Sequence, residues 1–359
     1  MPVEAYAPAQ TPDLHIPPSD ATVRVAIIDT TSSIVLPSTG LLSPLIPCAP
    51  TLSLPAYAFL VTHPTKGCLL FDLGIRPDWS SALPPVLGHR IKSLGWDISA
   101  EKDLATILTE HAVPLTDIKA VVWSHPHFDH TGNPALFTAS TALVVGPGFK
   151  EAFLPGYPAD LTGTMPEEVW AGRELVEVEF PETGLRIGRF RACDWFGDGS
   201  FYLLSSPGHA VGHMCGLART TADSFILMGG DAAHHAGMFR PSAYIPLPES
   251  IMLDPPVPGF PNPCSREALL RIHPEGRADR PFYRSREGFN LDDEEARSST
   301  EGLAEFDADP RVLVFVAHDK ALRDVVSFLP ERVNEWKEKG WGNARWRFLG
   351  DFAAGMQEV

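Results

Sequence analysis

The chain is short of cysteine, of positive charge and of long apolar runs, and each shortage removes a class of protein. Five cysteines, Cys48, Cys68, Cys193, Cys215 and Cys264, are scattered through 359 residues with no two at a Cys-x-x-Cys spacing. An odd, scattered set makes neither a disulfide framework nor a thiolate zinc knuckle. It reads as free thiols in a reducing compartment, so a cytoplasmic location is expected. Lys and Arg number 29 against 45 Asp and Glu, a formal net charge of −16. Phosphate backbones are held by basic footprints, so no nucleic-acid partner is expected. No apolar run approaches the roughly 20 residues that span a bilayer. The opening MPVEAYAPAQTPDLHIPPSD lacks the basic start and apolar centre of a secretory leader. No membrane partner is expected either.

What the chain does have is apolar residues, 44% of the total with 21% charged, enough for a substantial core. Residues 1–20, rich in Pro and Ala, read as an N-terminal arm, and 21–359 as a single domain. One stretch stands out, Ser124-His125-Pro126-His127-Phe128-Asp129-His130. The run before it, Ile118 to Trp123, is β-branched and aromatic and predicts a buried strand that delivers the motif to a loop. On extended chain His125 and His127 point the same way. Asp129 and His130 follow the turn and are free to face a second position. Neutral imidazole and carboxylate are ligands suited to Zn2+ and related divalent ions.

The spacing His-x-His-x-Asp-His resembles the signature of the metallo-β-lactamase superfamily. The resemblance implies three further ligands, a His, an Asp and a His, each at a strand end. The chain supplies them in order: His209 in SSPGHAVGH, Asp231 in ILMGGDAAHH and His318 in VLVFVAHD. The implied fold is α/β, a four-layer αβ/βα sandwich of two mixed sheets flanked by helices. The implied cofactors are two divalent metal ions, Zn2+ first, with Fe, Mn or Co as alternatives. By transfer of the pattern, His125, His127 and His209 hold one ion, Asp129, His130 and His318 the other, and Asp231 bridges them. The expected reaction is opening of a lactone or related ester by a metal-bridging hydroxide, with Asp129 passing a proton to the leaving group. The form SHPHFDHTGN and the apolar segment after residue 31 look most like lactonases, including acyl-homoserine lactonases. An acyl-thioester hydrolase of the polyketide carrier-protein type is the alternative, and a mononuclear-iron persulfide dioxygenase a more remote one. Lactonases often carry a Tyr three residues after the bridging Asp. Here that position is His234, either a catalytic donor or a residue packed beside the site. In Phe71-Asp72-Leu73-Gly74 the family places an Asp that orients a ligand histidine, so Asp72 takes that role or is a turn residue before Gly74.

Around these residues the pattern predicts strands over 21–28, 142–145 and 225–228, and a hairpin of 57–62 with 67–71. Several strands are expected across 175–204. Helices are expected over 100–112, 148–154 and from Asn133 to Phe137. The segment SSIVLPSTGLLSPLIPCAPTLSLP is a covering loop or a wall of the substrate pocket. His213 is expected to support the site without ligating. Asp231 and His318 lie 87 positions apart, and the excess, about 239–305, is expected to be an insertion that caps the site or mediates contacts. Its acidic run Asp292 to Glu295 reads as solvated surface. The aromatic and basic tail WKEKGWGNARWRFL is expected to cover the domain. A small-molecule lactone or ester partner and a homodimer complete the expectations.

Overall fold

Successive strand residues point to opposite faces of a sheet, and the buried strands of this chain divide their apolar side chains two ways accordingly. Val25 and Ile27 face one core while Ala26 and Ile28 face another. Ile226 and Met228 join Val25 in the first, while Phe225 and Leu227 face a third. A strand buried on both faces needs cover on both, and the layered sandwich is the solution. The computed structural model, which describes residues 6–356, has this arrangement. Residues 1–5 of the expected arm and 357–359 of the expected domain lie outside the described residues.

Two mixed six-stranded sheets form the middle layers. The first runs Arg24–Ile28, Ala58–His63, Gly67–Phe71, Ile118–Val122, Ala142–Val145, Leu175–Glu177; its first two pairings are antiparallel and the rest parallel. The second runs Arg186–Ile187, Phe190–Asp194, Phe201–Ser205, Met214–Thr221, Ser224–Met228, Val312–Phe315, antiparallel except for the last pair. Their inner faces meet through residues such as Phe59, Phe71, Phe201 and Phe315. Helix Leu104–Glu110 covers the outer face of the first sheet through Leu104, Ile107 and Leu108. Helix Asp293–Ala308 covers the second through Leu303 and Phe306. Truncating a fully buried ring such as Phe306 to Ala costs about 3–5 kcal/mol.

The helix Asp293–Ala308 changes the reading of two stretches. The acidic run is its start: Asp292 caps it, its side chain accepting from the backbone N–H of Glu294 and Glu295, and the carboxylates of the first turn complement the helix dipole. The helix also crosses the upper limit of the expected 239–305 insertion and belongs to the outer layer of the sandwich. The segment from Ser32 to Pro55 is not simply a loop. Ser33–Pro37 pairs with Thr51–Pro55 and with Asp97–Ser99 in a separate three-stranded sheet. The helix expected from Asn133 is a single tight turn, Pro134–Leu136, with the Asn133 side chain accepting from Ala135 N–H. Strand Met214–Thr221 had no alternation to announce it, because all but its last residue is buried. The arm lies along the second sheet, where Gly188 N–H donates to Leu14 C=O at 2.7 Å. In the tail, Trp341, Phe348, Leu349 and Phe352 are buried along a tight helical stretch. Among the described residues no helix is long and apolar enough to cross a membrane.

Candidate metal centre

The functional residues stand where strands of both sheets end at one edge of the sandwich. Strand Ile118–Val122 leads to His125, and strands Phe201–Ser205, Ser224–Met228 and Val312–Phe315 lead to His209, Asp231 and His318. The backbone joins the two sheets here, with Met214 N–H donating to Ser124 C=O at 2.8 Å. The chain bends over residues 124–126, His127 is extended, and one helical turn, Phe128–Thr131, then swings Asp129 and His130 round. Gly208, at φ 111°, must be glycine: a Cβ there would stand 1.9 Å from the Ala296 nitrogen.

The seven residues expected as ligands are brought together in two groups. His125, His127, His209 and Asp231 form one, and Asp129, His130, His318 and Asp231 the other, each with its ligand atoms within 4.8 Å of one another. Asp231 divides its carboxylate between them. Oδ2 faces His125 Nε2 at 3.6 Å and His209 Nε2 at 3.5 Å. Oδ1 faces His130 Nε2 and His318 Nε2, both at 3.1 Å. Asp129 Oδ2 stands 3.6 Å from the same two nitrogens. His127 is the exposed member of the set and marks the open side.

Whether these residues fit metal ions is tested by what is left without a partner. His125 Nε2, His130 Nε2 and Asp231 Oδ1 are buried and make no hydrogen bond. His209 Nε2 and His127 Nδ1 face each other at 3.0 Å. Buried polar atoms are almost always paired, and several orphans converging on one point call for an ion. The charge distribution agrees. Burial, reinforced by neighbouring imidazoles, holds His125 and His209 well below the usual histidine range, in the neutral form that ligates. Burial also acts downward on His130 and His318, but the carboxylates of Asp231 and Asp129 outweigh it and raise both. In Asp231 burial acts upward and the surrounding imidazoles outweigh it, so the group stays ionised.

The imidazoles are aimed by their other nitrogens. Asp72, at φ 61°, accepts from Ser124 N–H at 2.6 Å and from Ser124 Oγ at 2.8 Å. Its Oδ2 lies 2.9 Å from His130 Nδ1. A non-glycine residue at this φ carries strain, here at the point where three groups converge on one carboxylate. His318 Nδ1 donates to Pro55 C=O at 2.5 Å, which ties the segment 32–55 to the site. His209 Nδ1 is paired with Asn290 Oδ1 at 3.2 Å. His213 does not enter either group. Its Nε2 accepts from Asp231 N–H at 2.9 Å, so its proton sits on Nδ1, which donates to Ser206 C=O at 2.9 Å. Burial holds that ring down at about 4.

His234 is in the site, with Nε2 3.2 Å from Asp231 Oδ2, its ring stacked on His318, and Nδ1 buried without a partner. His235 turns away, accepting from Gly237 N–H at 3.0 Å and pairing with Asp351 Oδ2 at 3.1 Å. Beside His318 lies a cavity of about 270 Å3, with Leu52, Leu54, His235, Tyr283 and Asp319 in its walls. Sequence reasoning missed Ser124, Asn290 and the Pro55 carbonyl. Ser124 stood inside the motif and was open to inspection. Asn290 is 81 positions from its partner and the Pro55 carbonyl 263 from its own, and no local pattern joins such pairs.

Comparison with known proteins agrees with this geometry. Residues 53–217 match the profile of the metallo-beta-lactamase superfamily. Gamma-lactamase FDB1 of Fusarium pseudograminearum is 45% identical over 97% of this chain and 87% of its own length. Metallo-hydrolase mfmC of Annulohypoxylon moriforme is 39% identical over 100% of this chain and 95% of its own length. An N-acyl homoserine lactone hydrolase, solved with N-hexanoyl-L-homoserine at its catalytic metal center, shares the fold with a TM-score of 0.58 at 19% identity, over 87% of this chain and 99% of that one. The sandwich, the paired His/Asp groups at its edge and full-length relatives at this level of identity make the chain a member of the metallo-β-lactamase superfamily and a metal-dependent hydrolase.

Proposed function

We propose that the chain hydrolyses the acyl bond of a small cyclic substrate, a lactam amide first and a lactone ester second, at two Zn2+ ions. The observation that carries the reading is the division of Asp231. One oxygen faces His125 and His209, the other His130 and His318, so this one carboxylate would serve both ions. His125, His127 and His209 would hold one ion, and Asp129, His130 and His318 the other. When bound, paired divalent ions supply Lewis acidity and bring the ionisation of water into the neutral range.

The remaining work falls to the protein's own groups. Asp72, Pro55 C=O and Asn290 fix three imidazole rings, so that their free nitrogens converge without rearrangement. Phe289 lies against the rings of His209 and His234, at centroid distances of 5.7 and 5.3 Å, and shields them from solvent. Asp129 Oδ2 and His234 are the groups placed to hold and pass a proton. An amine leaves only when protonated, so a second proton carrier suits a lactam more than a lactone. The name of the relative at 45% identity points the same way. The lactone reading rests on the lactonase-like form of the motif and on Leu52 and Leu54, which place the segment 32–55 in the cavity wall. A small-molecule substrate, a cytoplasmic location and a homodimer remain part of the proposal.

The test is a matched pair, a γ-lactam and a γ-lactone on the same ring skeleton, with an acyl thioester alongside and metal counted per chain. Hydrolysis of the lactam with two ions bound supports the reading. Turnover confined to the thioester, or a single iron with dioxygen uptake, overturns it.

A further inference from the structure

The geometry points to Asn290 as a positioning residue for His209: held by Ser285 and Asp293, it fixes the imidazole so that one of the two ions, the one shared by His125, His127 and His209, is bound tightly. This inference rests on the reading of the site as a metal centre and adds to it a residue from outside the stretch that matches the family profile, 53–217.

The hydrogen bonds determine which way the amide faces. Asn290 Nδ2 lies 2.9 Å from Asp293 Oδ1 and 3.0 Å from Ser285 Oγ. A carboxylate only accepts, so the NH2 group must face it, and Oδ1 must face His209. Oδ1 is an acceptor, so His209 must carry its proton on Nδ1, 3.2 Å away. The tautomer is thereby fixed and the lone pair of Nε2 is turned inward, towards His127 Nδ1 at 3.0 Å and Asp231 Oδ2 at 3.5 Å. Asp293 is itself held, its Oδ2 accepting from Gly288 N–H at 2.6 Å, and it stands in the first turn of the helix Asp293–Ala308. The backbone runs alongside: Leu291 N–H donates to His209 C=O at 3.1 Å and Asp292 N–H to Gly208 C=O at 2.8 Å. A rigid helix of the outer layer is thus connected, through one amide, to one imidazole of the site. His130 and His318 are held by other partners, their Nδ1 atoms facing Asp72 and the Pro55 carbonyl. The effect of Asn290 is therefore confined to one half of the pair.

The experiment is a chelator-competition titration of the full chain with Zn2+, repeated with Co2+ so that each site is read by its visible absorption. Wild type should bind two ions. Asn290→Leu should bind one of them about 10–100-fold more weakly, the usual cost of losing such a partner, and leave the other unchanged. The paired substitution Asn290→Asp with Asp293→Asn exchanges donor and acceptor and keeps an oxygen against His209 Nδ1, so it should restore tight binding. The exchange also keeps the question open to refutation if the Leu variant folds poorly. Equal affinities for both ions in wild type and Asn290→Leu, equal weakening of both ions, or no recovery on exchange would overturn the inference. Failure of wild type to bind metal would instead bring down the metal-centre reading beneath it.

Discussion

The Arg240–Asp307 pair and the cluster round Asp231 are both buried, and they are finished to different degrees. Arg240 and Asp307 form a closed pair. The guanidinium donates from Nε to Asp307 Oδ2 at 3.0 Å and from Nη2 to Oδ1 at 2.7 Å. Its Nη1 donates to Arg345 C=O at 3.2 Å, and the group lies over the Phe239 ring. The cluster round Asp231, buried apart from His127, leaves His125 Nε2, His130 Nε2 and Asp231 Oδ1 without hydrogen bonds. An unpaired buried polar group costs about 1–3 kcal/mol, and a fold that needed only cohesion would have closed these as it closed Arg240. The contrast separates a structural charge pair from a binding site: the first is complete by itself, the second is complete only with what it binds.

The sharpest way to break this contrast is Asp231→Asn. The bridge loses its charge, so metal content and hydrolysis should fall together by more than about a hundredfold, beyond the range typical of outer partners. Full occupancy and normal turnover in that variant would end the assignment. Next in size is Arg240→Met, which strips the buried Asp307 of both its side-chain hydrogen bonds and leaves it only the longer contact to Arg345 Nη1 at 3.6 Å. Unfolding free energy should drop by about 3–5 kcal/mol, while metal bound per folded chain stays at the wild-type value in an ion count on the soluble fraction. Loss of metal with unchanged stability would invert the comparison. Asp72→Asn tests the border between the clusters. It keeps the shape but weakens the acceptor for His130 Nδ1, and metal affinity should fall about 10–100-fold in a competition assay, with a smaller change in melting temperature.

The smallest expected effect lies in a third polar group, outside both clusters. Burial acts upward on Asp198, but its bonds to the Ser200 hydroxyl and His63 outweigh burial and hold it down at about 2. A folded value below the unfolded one of about 3.9 gives stability that is present above that pH and lost as pH falls towards 2. The contribution is about 1–2 kcal/mol, since part of the group is solvated. In chelator-treated protein, the stability gap between wild type and Asp198→Asn should therefore narrow as pH falls from about 5 to 2.5. A gap that widens over that interval would show that the carboxylate is not held in its ionised form.

Some of the architecture was open to reading along the chain because it is recorded locally. Short runs of apolar, β-branched and aromatic residues placed Ile118–Val122 and Ser224–Met228, and the hairpin 58–71 followed from its turn. Strand Met214–Thr221 gave no such record: Gly216 and Arg219 interrupt its apolar run, and Gly216 sits where two rings, Phe201 and Phe71, leave no room for a side chain. The acidic residues from Asp292 looked like mere surface because a cap is defined by the backbone it meets, and only the folded helix supplies those N–H groups.

The candidate site divides along the same line. The identity of the donors was set by the sequence, because imidazole and carboxylate in the order of His125, His127, Asp129, His130, His209, Asp231 and His318 carry their chemistry wherever they stand. Which oxygen of Asp231 faces which ring, which nitrogen of each histidine is held and which is left over, and the role of Asn290 were decided only by the tertiary structure. Hydrogen bonds act over about 3 Å of space, and residues that distant in sequence come within that range only after both sheets have packed.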